Sequence, residues 1–280
     1  MSRTLPRRAN DRTADAAATT VREASSPAAS DSAGHREASA TAGSVCVLAL
    51  SDRVDELVYS TRARARYRDV DLVIACGDLP YSYVEYVTSC LDRPTFFVRG
   101  NHDQLSEDGP AGPQRAPLGA VDLHRRVVRH DGLLLAGVEG SVRYKPGPFQ
   151  STQLEMWLHV LHLLPGLLYN RLRFGRWLDV FVSHAPPRGI HDRPDPPHHG
   201  IDAFRWLLRV ARPTVHLHGH VHLYGPNTPT DTVYGATRVA NAYGSRVLAI
   251  VPGGELAADV PCRDSGTKAG EDEAPRADRG

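Results

Sequence analysis

The chain has only 2 methionines, 3 tryptophans and 7% aromatic residues, and no run approaches the roughly 20 continuous apolar residues that a membrane helix needs. Its N-terminus carries charges where a secretory signal has an apolar segment, so a soluble, unexported, cytoplasmic protein is expected. Excess charge is missing as well. Lys+Arg 33 against Asp+Glu 32 leaves a formal charge of +1, which removes the electrostatic argument for a dedicated nucleic-acid or membrane-surface partner. Cysteine is scarce: Cys46, Cys76, Cys90 and Cys262 form no Cys-x-x-Cys pair, and four reduced thiols are the expected state.

Histidine is abundant. Of the 14, all except His35 lie between His102 and His222, a distribution that points to a metal site. With 41% hydrophobic residues over 280 positions, the chain has material for one substantial core. That material is concentrated in residues 44–252. Residues 1–43 have almost no large apolar side chain and 253–280 are similar, so both are expected to be disordered tails.

Within 44–252, apolar runs of strand length alternate with amphipathic segments. Strands are expected at Val45–Leu50, Asp71–Ala75, Thr95–Val98, Leu133–Val138, Val180–Ser183 and Thr214–His218, with closing strands between Val233 and Val251. Helices are expected at Glu56–Tyr67, Ser82–Leu91, Thr152–Leu164 and Ile201–Val210, and loops at Gly109–Gly119 and Pro186–Gly200. On the third helix, Leu154, Trp157, Leu158, Leu161 and His162 form a stripe expected to pack against the sheet rather than to act as a lid. Arg62, Arg64, Arg66 and Arg68 spread around a broad surface and read as a solvated face.

In an open α/β sheet the ligand site lies beyond the carboxyl ends of the strands. Here the strands run into Ser51-Asp52, Gly77-Asp78, Gly100-Asn101-His102-Asp103, Ser183-His184 and Gly219-His220-Val221-His222. Each segment alone has an ordinary reading as a turn or a cap. Their ordered recurrence after successive strands does not.

These segments resemble the signature of the calcineurin-like metallophosphoesterases: Asp-x-His, Gly-Asp, Gly-Asn-His-Asp/Glu, a later His and Gly-His-x-His. The resemblance covers about Val45 to Val251 and implies an α/β fold, a two-sheet sandwich of mixed β-sheets flanked by helices. It implies that Asp78 bridges two divalent metal ions, with Asp52 and His222 on the first and Asn101, His184 and His220 on the second. His102 then sits beside the scissile phosphate as general acid, oriented by Asp103, and a hydroxide held between the ions is the nucleophile. Mixed nitrogen and oxygen ligands without thiolate suit Mn²⁺, Fe or Zn²⁺ better than Ca²⁺.

One motif is incomplete. Asp52-Arg53-Val54 places an apolar side chain where the family has its first histidine. Either a water or Asp55 compensates, or a single ion is tightly bound, or catalysis is lost; capping a helix at Glu56 is the favoured role for Asp55. The segment His184-Ala185-Pro186-Pro187-Arg188-Gly189 resembles the phosphodiesterase-like members, so Arg188 and His191 are candidate contacts to substrate phosphate, with Asp192, Asp195, His198 and His199 nearby. His216 and His218 are expected to make supporting hydrogen bonds. Phosphodiester hydrolysis is the favoured activity. Monoester or nucleotide hydrolysis, a catalytically weakened metal-binding scaffold, and a nucleic-acid adaptor working through the arginine-bearing N-terminal tail are the competing readings.

Overall fold

The computed structural model describes residues 43–109, 111–223 and 229–254, so both expected tails, apart from Gly43 and Gly253–Gly254, lie outside the described residues. In chain order the elements are β1 (Val45–Ser51), α1 (Ala63–Arg66), β2 (Leu72–Ala75), α2 (Tyr81–Leu91), β3 (Thr95–Phe97), β4 (Glu107–Gly109) and β5 (Gly112–Gln114). There follow β6 (Ala120–Asp122), β7 (Arg126–His130), β8 (Leu133–Val138), β9 (Ser141–Val142), β10 (Gln150–Ser151), α3 (Gln153–Phe174) and β11 (Val180–Ser183). The last are α4 (Asp202–Ala211), β12 (Val215–His218), β13 (Asp231–Tyr234), β14 (Thr237–Asn241) and β15 (Gly244–Ile250).

Two mixed sheets carry the fold. One has the order β15-β1-β2-β3-β6 and the other β13-β14-β12-β11-β8-β7. In the first, β1, β2, β3 and β6 are parallel and β15 is antiparallel to β1. In the second, β8, β11, β12 and β14 are parallel, and β7 and β13 close the edges antiparallel.

The alternation of side chains along each strand explains why the apolar runs are continuous. Val45, Val47 and Ala49 of β1 join Leu72 and Ile74 of β2 and meet Leu133, Leu135, Val180, Val182, Val215 and Leu217 of the other sheet in a shared inner core. The intervening Cys46, Leu48 and Leu50 face outward and are covered with Val84, Val87 and Leu91 of α2. On the far side, Phe181 of β11 packs with Met156, Val160 and Leu163 of α3 and with Phe204 and Leu207 of α4. The result is the two-sheet α/β sandwich with helices on both outer faces.

Several local expectations are corrected. The helix expected over Glu56–Tyr67 is reduced to Ala63–Arg66. Ahead of it the carboxylate of Asp55 accepts the amide of Leu57 at 2.9 Å, and Val58 and Tyr59 donate back to the Asp55 carbonyl, a succession of turns that leaves Leu57 and Tyr59 exposed. Helix α3 does not stop before Pro165; it runs on to Phe174. A proline inside a helix costs about 3 kcal/mol. Burying Leu163 and Leu167 on either side of it returns about 1.5–3 kcal/mol each, and Asn170 then donates to the Trp177 carbonyl at 3.1 Å. The loop at Gly109–Gly119 contains one strand of a short hairpin, with Glu107 opposite Gln114. Cys46 is disulfide-bonded, so the expected reduced state does not hold for it, whereas Cys76 and Cys90 are free thiols; Cys262 lies outside the described residues. Among the described residues, no helix is long and apolar enough to cross a membrane.

Candidate metal centre

The carboxyl ends of β1, β2, β3, β11 and β12 lie side by side, and backbone bonds continue the sheets past the last paired residues: Asp52 N donates to Gly77 O at 3.1 Å and Gly219 N to His184 O at 2.9 Å. Asp52, Asp78 and His220 all adopt positive φ, at 62°, 56° and 66°. For residues with a Cβ this conformation is strained, and three examples where strands of the two sheets end, Asp52 and Asp78 after β1 and β2 of one and His220 after β12 of the other, mark a functional site. The adjacent glycines are there for space. A Cβ on Gly219 would overlap Ser51 Oγ and Asp52 Oδ2, and one on Gly100 would overlap Asp78 Oδ1. Gly-Asn-His and Gly-His-x-His therefore encode close approach of two chain segments to two carboxylates.

Asp78, His184 and His220 each offer a ligand atom within 4.8 Å of the others. They are the only such trio among the described residues. The Nε2 of His184 stands 3.2 Å from Asp78 Oδ2, 3.0 Å from Asn101 Oδ1 and 3.1 Å from His220 Nδ1. Backbone carbonyls orient both rings. His184 donates from Nδ1 to Cys76 O at 2.8 Å and His220 from Nε2 to Pro197 O at 2.7 Å. The remaining nitrogens carry lone pairs aimed at one point, as in metal-ligating histidines. Asn101 is held the same way: its amide nitrogen donates to the Tyr144 hydroxyl at 3.3 Å, which turns its oxygen inward. Two imidazole nitrogens, a carboxylate and an amide oxygen fit a divalent transition ion.

The titration behaviour has the same origin. Burial raises the Asp78 carboxyl, but the charge and hydrogen bond of His184 and the His102 amide, which donates to Oδ1 at 2.8 Å, outweigh it and hold Asp78 at about 2. Burial lowers His184, yet Asp78 pushes it up to about 9, whereas burial and the neighbouring His184 press His220 down to about 3. Burial pushes Asp103 up to about 7, with Asp78 adding repulsion.

The other ligand set is thinner. Both oxygens of Asp52 lie close to the His220 amide, at 3.0 and 2.9 Å, and Asp52 Oδ1 is 3.6 Å from His222 Nε2. Burial raises the Asp52 carboxyl, but His222 and His184 outweigh it and leave it lowered; Asp52 in turn raises His222. Val54 packs against the outer core beside α2 and supplies no ligand. Asp55 does not replace it, because its oxygens accept from the Leu57 amide and the Ser245 hydroxyl.

His102 is exposed beside Asp78. Asp103 accepts the Gly100 amide at 2.7 Å, so it fixes the Gly100-Asn101-His102 turn and makes no hydrogen bond to the His102 ring. Arg188 and His191 are engaged elsewhere: Arg188 Nε lies 3.8 Å from Asp192 Oδ2, while His191 spans His218 at 2.8 Å and the Thr232 hydroxyl at 2.9 Å. His198 lies against the His220 ring, with centroids 5.2 Å apart. His216 bonds Ser183 Oγ at 2.7 Å, behind the site. Tyr144 and the carbonyls of Cys76 and Pro197 are the functional groups that sequence reasoning does not find. A carbonyl has no residue identity to read, and Tyr144 belongs to no motif.

A solved crystal structure shares the fold with a TM-score of 0.52 at 15% identity, covering 74% of this chain and 95% of that one. The protein TT1561 of Thermus thermophilus aligns with a TM-score of 0.46 at 15% identity over 76% of this chain and all (100%) of that one. No curated protein matches the chain. The family model for calcineurin-like phosphoesterases matches residues 49–224, and the chain belongs to that family.

Proposed function

We propose that this protein is a divalent-metal-dependent phosphoester hydrolase acting on a phosphodiester. The single observation that carries this is the convergence of Asp78, Asn101, His184 and His220 with both histidine tautomers fixed by carbonyls. Asp78, Asn101, His184 and His220 would hold one ion, and Asp52 and His222 beside Asp78 would hold a second more weakly. Mn²⁺, Fe or Zn²⁺ suits these donors, and when bound the ions supply Lewis-acid activation of water and neutralise phosphate charge. His102, exposed at the rim and held through its amide by Asp78, protonates the leaving oxygen. Asp103 keeps the turn that presents it. The preference for a diester rests on Val54 and on the His184-Ala185-Pro186-Pro187-Arg188-Gly189 segment, which resemble the phosphodiesterase-like members. Arg188, 42% exposed and only loosely paired with Asp192, is assigned to substrate phosphate in this reading; His191, with both ring nitrogens bonded to His218 and Thr232, supports the site from behind.

Val54 and the commitment of Asp55 to Ser245 favour a second reading, in which the thin first set leaves a metal-binding scaffold without turnover. Mn²⁺-dependent hydrolysis of a chromogenic phosphodiester by wild type and His102→Ala separates the two. We expect turnover in wild type and a loss of about 100-fold or more in the variant. Equal rates would remove His102 as the acid, and bound metal with no turnover in either protein would establish the scaffold.

A further inference from the structure

Helix α3 is apolar on two opposite faces, and the fold uses only one. Met156, Val160, Leu163 and Leu167 are buried in the core that α3 shares with β11 and α4. Two residues earlier in phase, which at about 100° per residue is the opposite side, Leu154, Leu158, Leu161, Leu168 and Leu172 are 70%, 58%, 42%, 50% and 79% exposed. The sequence-based expectation that Leu154, Leu158 and Leu161 pack on the sheet is thus overturned; Trp157, only partly buried, is the member of that stripe that reaches the core. With exposed Pro165, the outer residues repeat at intervals of 4, 3, 4, 3 and 4 along the chain, which is the a/d spacing of a coiled-coil seam. The seam runs over about five turns, roughly 27 Å. Soluble monomers rarely leave a contiguous apolar patch of more than a few hundred Å².

We propose that this face is a self-association surface on which α3 of a second copy lies antiparallel, about a two-fold axis passing near Leu163. A heptad seam calls for a partner helix with the same spacing, and the chain itself provides one. In the antiparallel register every a position meets a d position: Leu154 faces Leu172 of the second copy, Leu158 faces Leu168, and Leu161 faces Pro165. Charge selects this direction. The one acid of the helix, Glu155, is in its first turn, and Arg171 and Arg173 are in its last. Antiparallel packing brings unlike ends together, whereas parallel packing would set four guanidinium groups against one another. Tyr169, 62% exposed, flanks the seam and widens it toward the area a stable two-fold interface needs.

Sedimentation equilibrium of the full chain tests the proposal. We expect a monomer–dimer equilibrium in the micromolar range, and at least a tenfold weakening in Leu158→Glu/Leu168→Glu; at concentrations where wild type is monomeric the thermal midpoint is expected to be unchanged, since both side chains are then exposed. With a short bifunctional thiol reagent, Leu161→Cys, next to the axis, is expected to link to its twin and Leu172→Cys, at the end of the seam, not to do so. Monomer at every concentration would overturn the proposal, as would a dimer indifferent to the double substitution. Equal linking by both cysteine variants would overturn the antiparallel register. Seam-dependent binding of a monomer to phosphatidylglycerol vesicles would assign the face to a lipid surface instead.

Discussion

His184 Nε2 and His220 Nδ1 face each other at 3.1 Å, and each ring donates its other nitrogen to a backbone carbonyl. Two lone pairs at that distance, with Asp78 Oδ2 and Asn101 Oδ1 beside them, repel unless a positive charge lies among them. In the ion-free protein that charge is a proton, which is why His184 holds on to it up to about 9. A divalent cation serves better, because it engages all four donors at once.

Gly219→Ala tests the packing behind the ligands. The new methyl group would overlap Ser51 Oγ and Asp52 Oδ2, and relief requires β1 and β12 to move apart at the site. A stability loss of about 1–3 kcal/mol in chemical denaturation is expected, accompanied by weaker metal binding. Wild-type stability and affinity together would show that the close approach is unimportant.

His222→Ala separates the two ligand sets. His222 neighbours Asp52 and is no part of the trio of Asp78, His184 and His220. Titration with Mn²⁺ is expected to show one tight and one weaker ion in wild type, and only the tight one in the variant. Loss of the tight ion would mean that the sets are not independent.

The strand ends were legible in the sequence because parallel strands buried on both faces read as unbroken apolar runs, and the polar residues that stop them belong to the site. Val180–Val182 followed by Ser183-His184 is the plainest case. What could not be read depends on contacts between distant segments. Asp55 meets Ser245, and Asn101 is turned by Tyr144, pairs with no spacing in common. The family resemblance implies that Asp103 orients the His102 ring, but the backbone amide of Gly100, three residues before it, donates to its carboxylate instead. On α3 the same leucine periodicity marks two faces, and periodicity alone does not say which one the sheet covers.

Acid sensitivity follows from three histidines behind the site. His216, His218 and His191 are all pressed below their ordinary value, chiefly by burial, with His218 at about 3. Because the unfolded residues take up protons near 6.5 and the folded ones do not, stability is complete above that pH and falls as pH drops from 6.5 toward 3. Each group contributes up to about 1.4 kcal/mol per pH unit. Denaturation midpoints from pH 7 to 4 should fall steeply, and His216→Phe, placed between Phe181 and Phe204, should lessen the slope. Because Asp103 and Glu139, both raised to about 7 by burial, pull the other way, the comparison decides: equal slopes in wild type and His216→Phe would contradict the burial of this ring.

The most direct measurement is metal content per chain after dialysis against limiting Mn²⁺ or Zn²⁺, in wild type and in Asp78→Ala, His184→Ala and His220→Ala. The account predicts at least one ion per wild-type chain and its loss in each variant while the fold, followed by circular dichroism, is kept. Folded variants that retain the ion at wild-type affinity would contradict it.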